Sequence, residues 1–239
     1  MRKAMRGAWL SIGVLAPIAT CLADSGVDPD VTSDVAQRRP NSVQVFAGRL
    51  STTDFGNTIL YNLLYTPKLG KPSYDNDIVG VEYERDLLEV THDVWLRAQG
   101  GLAERYGHYI VCCLTPAVGP HPDTTVQING RVYSTEFWAG GKFRWENFHI
   151  GHGVKLEFAG AFGLSAVTRT IGRERQREIE RQGNAHILGY LAPEVGMSLD
   201  RLPNFELVIS VPHRSGAWGT FGHMEEGYNA DVIGVRYYF

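Results

Sequence analysis

A histidine and a serine stand two positions apart near the C-terminal end of the chain, in the stretch His213-Arg214-Ser215. Residues two apart in a β-strand project from the same face of a sheet. A histidine placed in this way can take the hydroxyl proton as a general base, and the serine oxygen can then attack an ester carbonyl. The pair therefore predicts nucleophilic acyl chemistry, with two merely structural polar residues as the alternative.

The segments that would position this pair alternate between apolar and polar residues, and a period of two indicates β-strands. In residues 204–215 the apolar odd positions are Phe205, Leu207, Ile209 and Val211, and His213 and Ser215 continue the same face. About eight such stretches occur, at 42–51, 77–87, 92–105, 131–144, 152–167, 186–199, 204–215 and 229–239. Most are longer than the strands of soluble proteins and are typical of tilted strands that cross a bilayer.

Charged and polar side chains lie inside these long stretches, where a soluble β-sandwich would place an apolar core. They are Glu82, Glu84, Arg97, Gln99, Glu136, Glu157, Glu194 and Glu206. Such residues fit the polar interior of a narrow barrel, in which they can pair with one another. A secreted lipocalin-like barrel is the alternative, but its interior should be apolar.

The connections between the stretches alternate in length. The gaps at 52–76, 106–130, 168–185 and 216–228 are long, whereas those at 88–91, 145–151 and 200–203 are short. Outer-membrane barrels have long extracellular loops and short periplasmic turns. We therefore predict an eight-stranded antiparallel outer-membrane β-barrel. Residues 58–66 in the first long gap fit a strand or a short helix, so ten strands is the alternative.

The ends of the chain and its composition set further bounds. Residues 1–23 have the basic, apolar and small-residue regions of a secretory signal peptide, which predicts export. Residues 24–40 are polar and contain two prolines, so we expect a flexible leader before a barrel domain at 41–239. The net charge of −3 gives no reason to expect nucleic acid as a partner.

Cysteine and histidine spacing points to no cofactor. Cys112 and Cys113 are adjacent and could bridge only with strain, so their role stays open. The sequence contains no CxxC or HExxH pattern or other metal-ligand spacing, and we expect neither a metal nor a cofactor.

The C-terminal hairpin resembles a known family. His213-Arg214-Ser215-Gly216, then Gly227-Tyr228-Asn229 and the terminal Arg236-Tyr237-Tyr238-Phe239, are similar to the last two strands of PagL-type lipid A 3-O-deacylases. The resemblance implies an eight-stranded barrel in the outer membrane of a Gram-negative cell. It also implies removal of an ester-linked acyl chain from the lipid A of lipopolysaccharide by Ser215 as nucleophile and His213 as base, with a carboxylate assisting. A non-catalytic surface barrel, in which His213 and Ser215 lie in the polar headgroup zone, is the alternative function.

The assisting residue is open at this point. The family's acid position corresponds to Asn229, which can orient a histidine but carries no charge. Among nearby carboxylates, Asp231 shares the strand parity of Asn229, whereas Glu226 and Glu225 would have to fold back from a loop. We take Asp231 and Glu226 as the candidates. Gly216 stands where the family commonly has Asn, which leaves backbone N–H groups to serve as the oxyanion hole.

Overall fold

A computed structural model describes residues 39–62, 73–112, 125–151 and 153–239, and the side chains of 60–62, 108–112, 125–130 and 147 lie outside the description. The predicted signal peptide at 1–23, nearly all of the predicted leader and Cys113 also fall outside the described residues. Among the described residues, no helix is long and apolar enough to cross a membrane.

Nine β-strands and two helices make up this part of the chain. In order they are β1 (Asn41–Ser51), α1 (Phe55–Asn62), β2 (Tyr74–Thr91), β3 (Val94–Cys112), β4 (Thr125–His149), β5 (Val154–Val167), α2 (Gly172–Arg181), β6 (Ile187–Leu199), β7 (Leu202–Ser210), β8 (His213–Ser215) and β9 (Glu226–Tyr238). The short β2–β3, β4–β5 and β6–β7 connections lie at one end of the strands, and the longer connections through α2 and between β8 and β9 lie at the other, as the gap lengths predict.

The strands form one closed antiparallel ring. Each strand from β1 to β6 pairs with the next, β7 pairs with β9, and β1 also pairs with β9, which closes the sheet. Strands β7 and β8 occupy a single place in the ring, because both lie between β6 and β9. The ring therefore has eight positions, which confirms the eight-stranded antiparallel barrel; the ten-stranded alternative is wrong. Residues 58–62 belong to α1, and 63–66 lie outside the described residues.

The break between β7 and β8 falls at Val211 and Pro212, inside the single strand predicted at 204–215. Proline has no N–H to donate to the ladder. The ladder is otherwise maintained, because Val211 N–H donates to Pro193 O at 3.0 Å and Ala230 N–H donates to Pro212 O at 2.8 Å. The break therefore leaves the strand parity unchanged from Ser210 to His213.

The wall of the barrel is apolar outside and polar inside, as the alternation predicts. Outward side chains such as Phe162, Leu164 and Ile209 are exposed, whereas Glu82 and Glu136 are buried in the interior. Glu194 is buried as well, and Glu157 points inward to pair with Arg144. A charged interior within an apolar exterior excludes the lipocalin-like alternative.

Ion pairs offset the free-energy cost of burying these charges in the barrel interior. The Nζ of Lys142 donates to Glu82 at 2.7 Å, to Glu84 at 2.6 Å and to Glu194. The Arg236 guanidinium contacts Glu194 at 2.6 Å and lies at the same cluster. Buried charges that are paired and hydrogen-bonded in this way are tolerated, whereas a single unpaired one is strongly destabilising.

Helix α2 packs against the end of the barrel that carries the long loops. The Glu174 side chain enters the interior, where Arg105 Nη1 donates to it at 3.0 Å and Arg214 forms a second ion pair. Glu178 is also buried. The charge-rich residues 173–181 therefore form a helix that the buried Glu174 side chain attaches to this end of the barrel.

Candidate active site

His213 lies on the outer face of the ring, near the end with the long loops. It pairs with Leu191 of β6 and Asn229 of β9, and the Leu191 side chain points outward. This is the face that the strand alternation predicts. The imidazole is only 5% exposed, however, because the Phe55 ring stacks on it with centroids 4.1 Å apart and planes 17° from parallel. The start of α1 therefore covers His213 on the outer face of the barrel.

A chain of two hydrogen bonds fixes the protonation pattern of His213. Asn229 Nδ2 donates to Thr53 O at 2.6 Å, and a carbonyl oxygen can only accept, so the amide orientation of Asn229 is determined. Asn229 Oδ1 then faces His213 Nδ1 at 2.6 Å. Because Oδ1 is an acceptor, Nδ1 carries the hydrogen, and Nε2 of the neutral ring is left as the basic nitrogen. This is the tautomer that a general base for a serine requires.

Ser215 follows on the same face of β8 and is half-buried. Its Oγ accepts a hydrogen bond from Ala217 N–H at 3.1 Å. The hydroxyl oxygen is thus held by a backbone donor of the loop that follows β8. Ala217 and Trp218 have φ values of 47° and 54°, a left-handed conformation that is uncommon for residues other than glycine and occurs frequently at functional sites.

Gly216 has a structural reason to be glycine. A Cβ at this position would lie 1.8 Å from Met224 O, so no side chain fits. Its N–H donates to Glu225 O at 3.0 Å and is therefore not directed at a substrate. Of the two amides that follow Ser215, the one aimed at the serine oxygen is that of Ala217.

The predicted assisting carboxylates make other contacts. Asp231 accepts a hydrogen bond from the Tyr74 hydroxyl at 2.5 Å and pairs across the sheet with Arg49. Glu226 lies opposite Ser215, not His213, and its carboxylate is 3.1 Å from Arg177.

Two further candidates for the residue that assists His213 are Glu225 and Asn229. Glu225 forms an ion pair with Arg181 in the exposed part of the loop. The side chain brought to His213 Nδ1 is therefore that of Asn229, which the family pattern indicates by position.

Sequence patterns do not reveal two parts of the site. Thr53 and Phe55 follow β1 and reach His213 and Asn229 across 158 to 176 residues of sequence. Arg177 comes from α2 and contacts Glu226 from a third loop. No spacing rule connects such distant residues, although the closure of the ring by β1 and β9 brings the Thr53 segment next to the last strand.

One group of carboxylates has metal-ligand spacing but is already occupied by cations. Glu82, Glu84 and Glu194 place oxygens within 4.8 Å of one another. Lys142 Nζ contacts all three, and Arg236 contacts Glu84 and Glu194. These side chains therefore act as counter-ions of buried cations.

Comparison with known proteins finds no matching protein-family model and no matching curated protein. Similar solved structures are outer-membrane β-barrels. The outer membrane enzyme PagL is 11% identical, with 83% of this chain and 99% of that chain covered and a TM-score of 0.48. Neisserial surface protein A is 12% identical, with 83% and 97% covered and a TM-score of 0.43. Ail, the attachment invasion locus protein of Yersinia pestis, is 14% identical, with 84% and 99% covered and a TM-score of 0.36.

PagL is thus one of several barrel neighbours. Identities and TM-scores this low carry no information about activity. The barrel assignment rests on the closed ring, its apolar exterior and its charged interior.

Proposed function

We propose that the protein is an outer-membrane esterase that removes an ester-linked acyl chain from the lipid A of lipopolysaccharide. Ser215 is the nucleophile, His213 is the general base and Asn229 orients the base. The observation that carries this proposal is the Thr53–Asn229–His213 hydrogen-bond chain, which places the hydrogen of the neutral ring on Nδ1 and makes Nε2 its basic nitrogen, on the face that also bears Ser215.

The reaction follows from these positions. His213 Nε2 takes the Ser215 hydroxyl proton as Oγ attacks the acyl carbonyl, and the Ala217 N–H beside Oγ is the nearest backbone donor. The protonated ring then gives its proton to the departing sugar oxygen, which leaves an acyl-enzyme. A water molecule, deprotonated by the same Nε2, releases the fatty acid and restores the serine.

The place of the site on the barrel supports a glycolipid of the outer leaflet as substrate. His213 and Ser215 lie on the outward wall at the end with the long loops. Below them the same face continues with the exposed apolar side chains of Leu207, Ile209 and Ile233. An acyl chain can therefore lie along the wall while its ester reaches the serine. Export by a signal peptide at residues 1–23 and insertion into a Gram-negative outer membrane are part of the same proposal.

A non-catalytic surface barrel is the second candidate, and two observations favour it. Phe55 covers the imidazole, and the Gly216 N–H is used by Glu225 O. In this case His213 and Ser215 are structural residues at the headgroup level.

Mass spectrometry of lipid A from cells that produce the protein distinguishes the two. The proposal expects loss of one ester-linked acyl chain with the wild type and none with Ser215→Ala or His213→Ala. Both variants should still show the heat-modifiable band of a folded barrel. Unchanged lipid A with folded wild-type protein, or full activity of Ser215→Ala, would leave the surface-barrel function in place of the esterase.

A further inference from the structure

The last strand carries a β-bulge opposite the site. His213 pairs with Asn229 and Ser215 pairs with Glu226, so two residue steps on β8 lie opposite three residue steps on β9, which has one extra residue here. With the register of the rest of the strand, Gly227 would face Ser215. Bulges re-aim side chains and are frequent beside active sites. Here the bulge places a carboxylate, Glu226, directly across from the serine.

A carboxylate in this position opposes the proposed reaction. Side chains of directly opposed residues in an antiparallel pair have Cβ atoms about 4.5–5.5 Å apart. The tetrahedral intermediate on Ser215 carries a negative oxygen, which an unpaired Glu226 carboxylate would repel. The site therefore needs a cation at Glu226.

Arg177 supplies that cation. Its Nη2 lies 3.1 Å from the Glu226 carboxylate, and its Nη1 donates to Gly227 O at 2.9 Å. The Arg177 side chain is 12% exposed, so water screens this pair less than the surface pairs of the same helix. A second carboxylate, Asp54, lies 3.8 Å from the same guanidinium but is largely exposed.

Helix α2 holds Arg177 firmly against the bulge. Glu174, one turn earlier on the same face, is fixed inside the barrel by Arg105 and Arg214. A Cβ on Gly227 would lie 2.8 Å from Glu174 Oε1 and 3.1 Å from Arg214 Cβ, so the helix packs directly on the bulge. These contacts fix α2 against β9, and the Arg177 guanidinium is therefore held in place.

We propose that Arg177 is a positioning residue of the Ser215 site, which neutralises Glu226 across from the serine and holds the β9 bulge that places Asn229 at His213. This inference rests on the proposed esterase function. It assigns to Glu226 the role of a neutralised neighbour and not that of the acid that orients His213.

The test measures kcat and KM of the purified full-length barrel in detergent micelles with lipid A as substrate, normalised to the heat-modifiable fraction. Arg177→Gln is expected to lower kcat by about tenfold to a hundredfold with little change in KM, as expected for an unpaired charge on the residue opposite a developing anion. The double variant Arg177→Gln/Glu226→Gln is expected to recover most of this loss, because the repelling charge is gone. A purely structural role of Arg177 through Gly227 O would give no such recovery, so a double variant as slow as Arg177→Gln overturns the proposal.

Arg181→Gln is the matched control. Arg181 and Glu225 form the corresponding ion pair one turn further along α2, but both side chains are about half exposed. Their exposure predicts a kcat within about twofold of the wild type, since exposed pairs contribute little. An equal loss in Arg181→Gln and Arg177→Gln would overturn the assignment to Arg177.

Glu226→Gln alone gives a second measurement that does not depend on the folding of Arg177→Gln. The guanidinium is then unopposed beside the oxyanion, and kcat is expected to rise severalfold. A fall in kcat overturns the proposal and returns Glu226 to the catalytic set. If the wild type and Ser215→Ala both leave lipid A intact, the proposed function fails and this inference fails with it. If the wild type is active and only the kcat values of the Arg177 and Glu226 variants differ from those expected, this inference fails and the function stands.

Discussion

Asn229 Oδ1 lies 2.6 Å from His213 Nδ1, across the β8–β9 pair. The amide fixes the ring and its tautomer, but it brings no negative charge to stabilise the imidazolium that forms during proton transfer. The site therefore provides orientation without the electrostatic assistance of a carboxylate. An esterase built in this way is expected to be slower than one with a complete acid-assisted triad.

Asn229→Leu tests this relationship, because leucine has a similar size and no hydrogen-bonding group. The variant loses both the contact to His213 and the contact to Thr53 O, so the hydrogen bond that sets the tautomer of the imidazole is gone. We expect the rate of lipid A deacylation to fall by about a hundredfold or more, since a wrongly oriented base is nearly as harmful as its absence.

Asp231→Asn is the matched comparison on the same strand face. Asp231 accepts a hydrogen bond from Tyr74. The substitution removes the negative charge of Asp231 and leaves the His213–Asn229 contact intact. A rate loss in Asp231→Asn that equals or exceeds that of Asn229→Leu would assign the orienting role to Asp231 instead.

The fold follows from the sequence because strand alternation is a local signal. Phe205, Leu207 and Ile209 face outward as their spacing predicts, and Glu82 and Glu194 face inward. Strand ends were less predictable. For example, β4 extends to Thr125–His149 from a predicted 131–144, because the ladder of a hairpin can continue beyond the apolar band of a barrel.

The site was only half predictable, because its two halves depend on different kinds of information. His213, Ser215 and Asn229 lie within one hairpin, and spacing along the chain identifies them. Phe55 and Arg177 reach the site through the packing of separate loops on the ring. That packing is a property of the closed barrel, and no residue pattern within either loop predicts it.

Phe55→Ala is expected to uncover His213. Stacking by the Phe55 ring is what leaves the imidazole 5% exposed. The rate at which diethyl pyrocarbonate modifies His213, read by peptide mass spectrometry, should therefore rise several-fold in the variant. His92, whose side chain is 95% exposed, provides the internal reference and should react equally in both proteins. Equal protection of His213 in the two proteins would show that another group covers the ring.

Glu174→Gln is expected to loosen the cap at the end of the barrel with the long loops. The change leaves two fully buried guanidinium groups, those of Arg105 and Arg214, with one carboxylate fewer. Removing one partner from a buried ion pair costs about 3–5 kcal/mol. Urea unfolding of the barrel in lipid should show this loss, and Glu180→Gln, which removes a half-exposed charge of the same helix, should be close to neutral. Similar midpoints for the two variants would mean that α2 does not contribute to the stability of the barrel.

Gly216→Ala is expected to disturb the loop that holds Ser215. The new Cβ would meet Met224 O at 1.8 Å and Met224 Cβ at 2.8 Å, so the backbone of the β8–β9 loop has to move. This movement separates Ala217 N–H from Ser215 Oγ, and we expect deacylation to be lost together with about 1–3 kcal/mol of stability. Gly160→Ala is the control, because a Cβ on Gly160 meets nothing within 4 Å. Deacylation rates and urea midpoints of the two variants, measured side by side, check this. Wild-type activity in Gly216→Ala would show that the loop can shift without moving the serine, and that the tight contact at Met224 is not what positions Ser215.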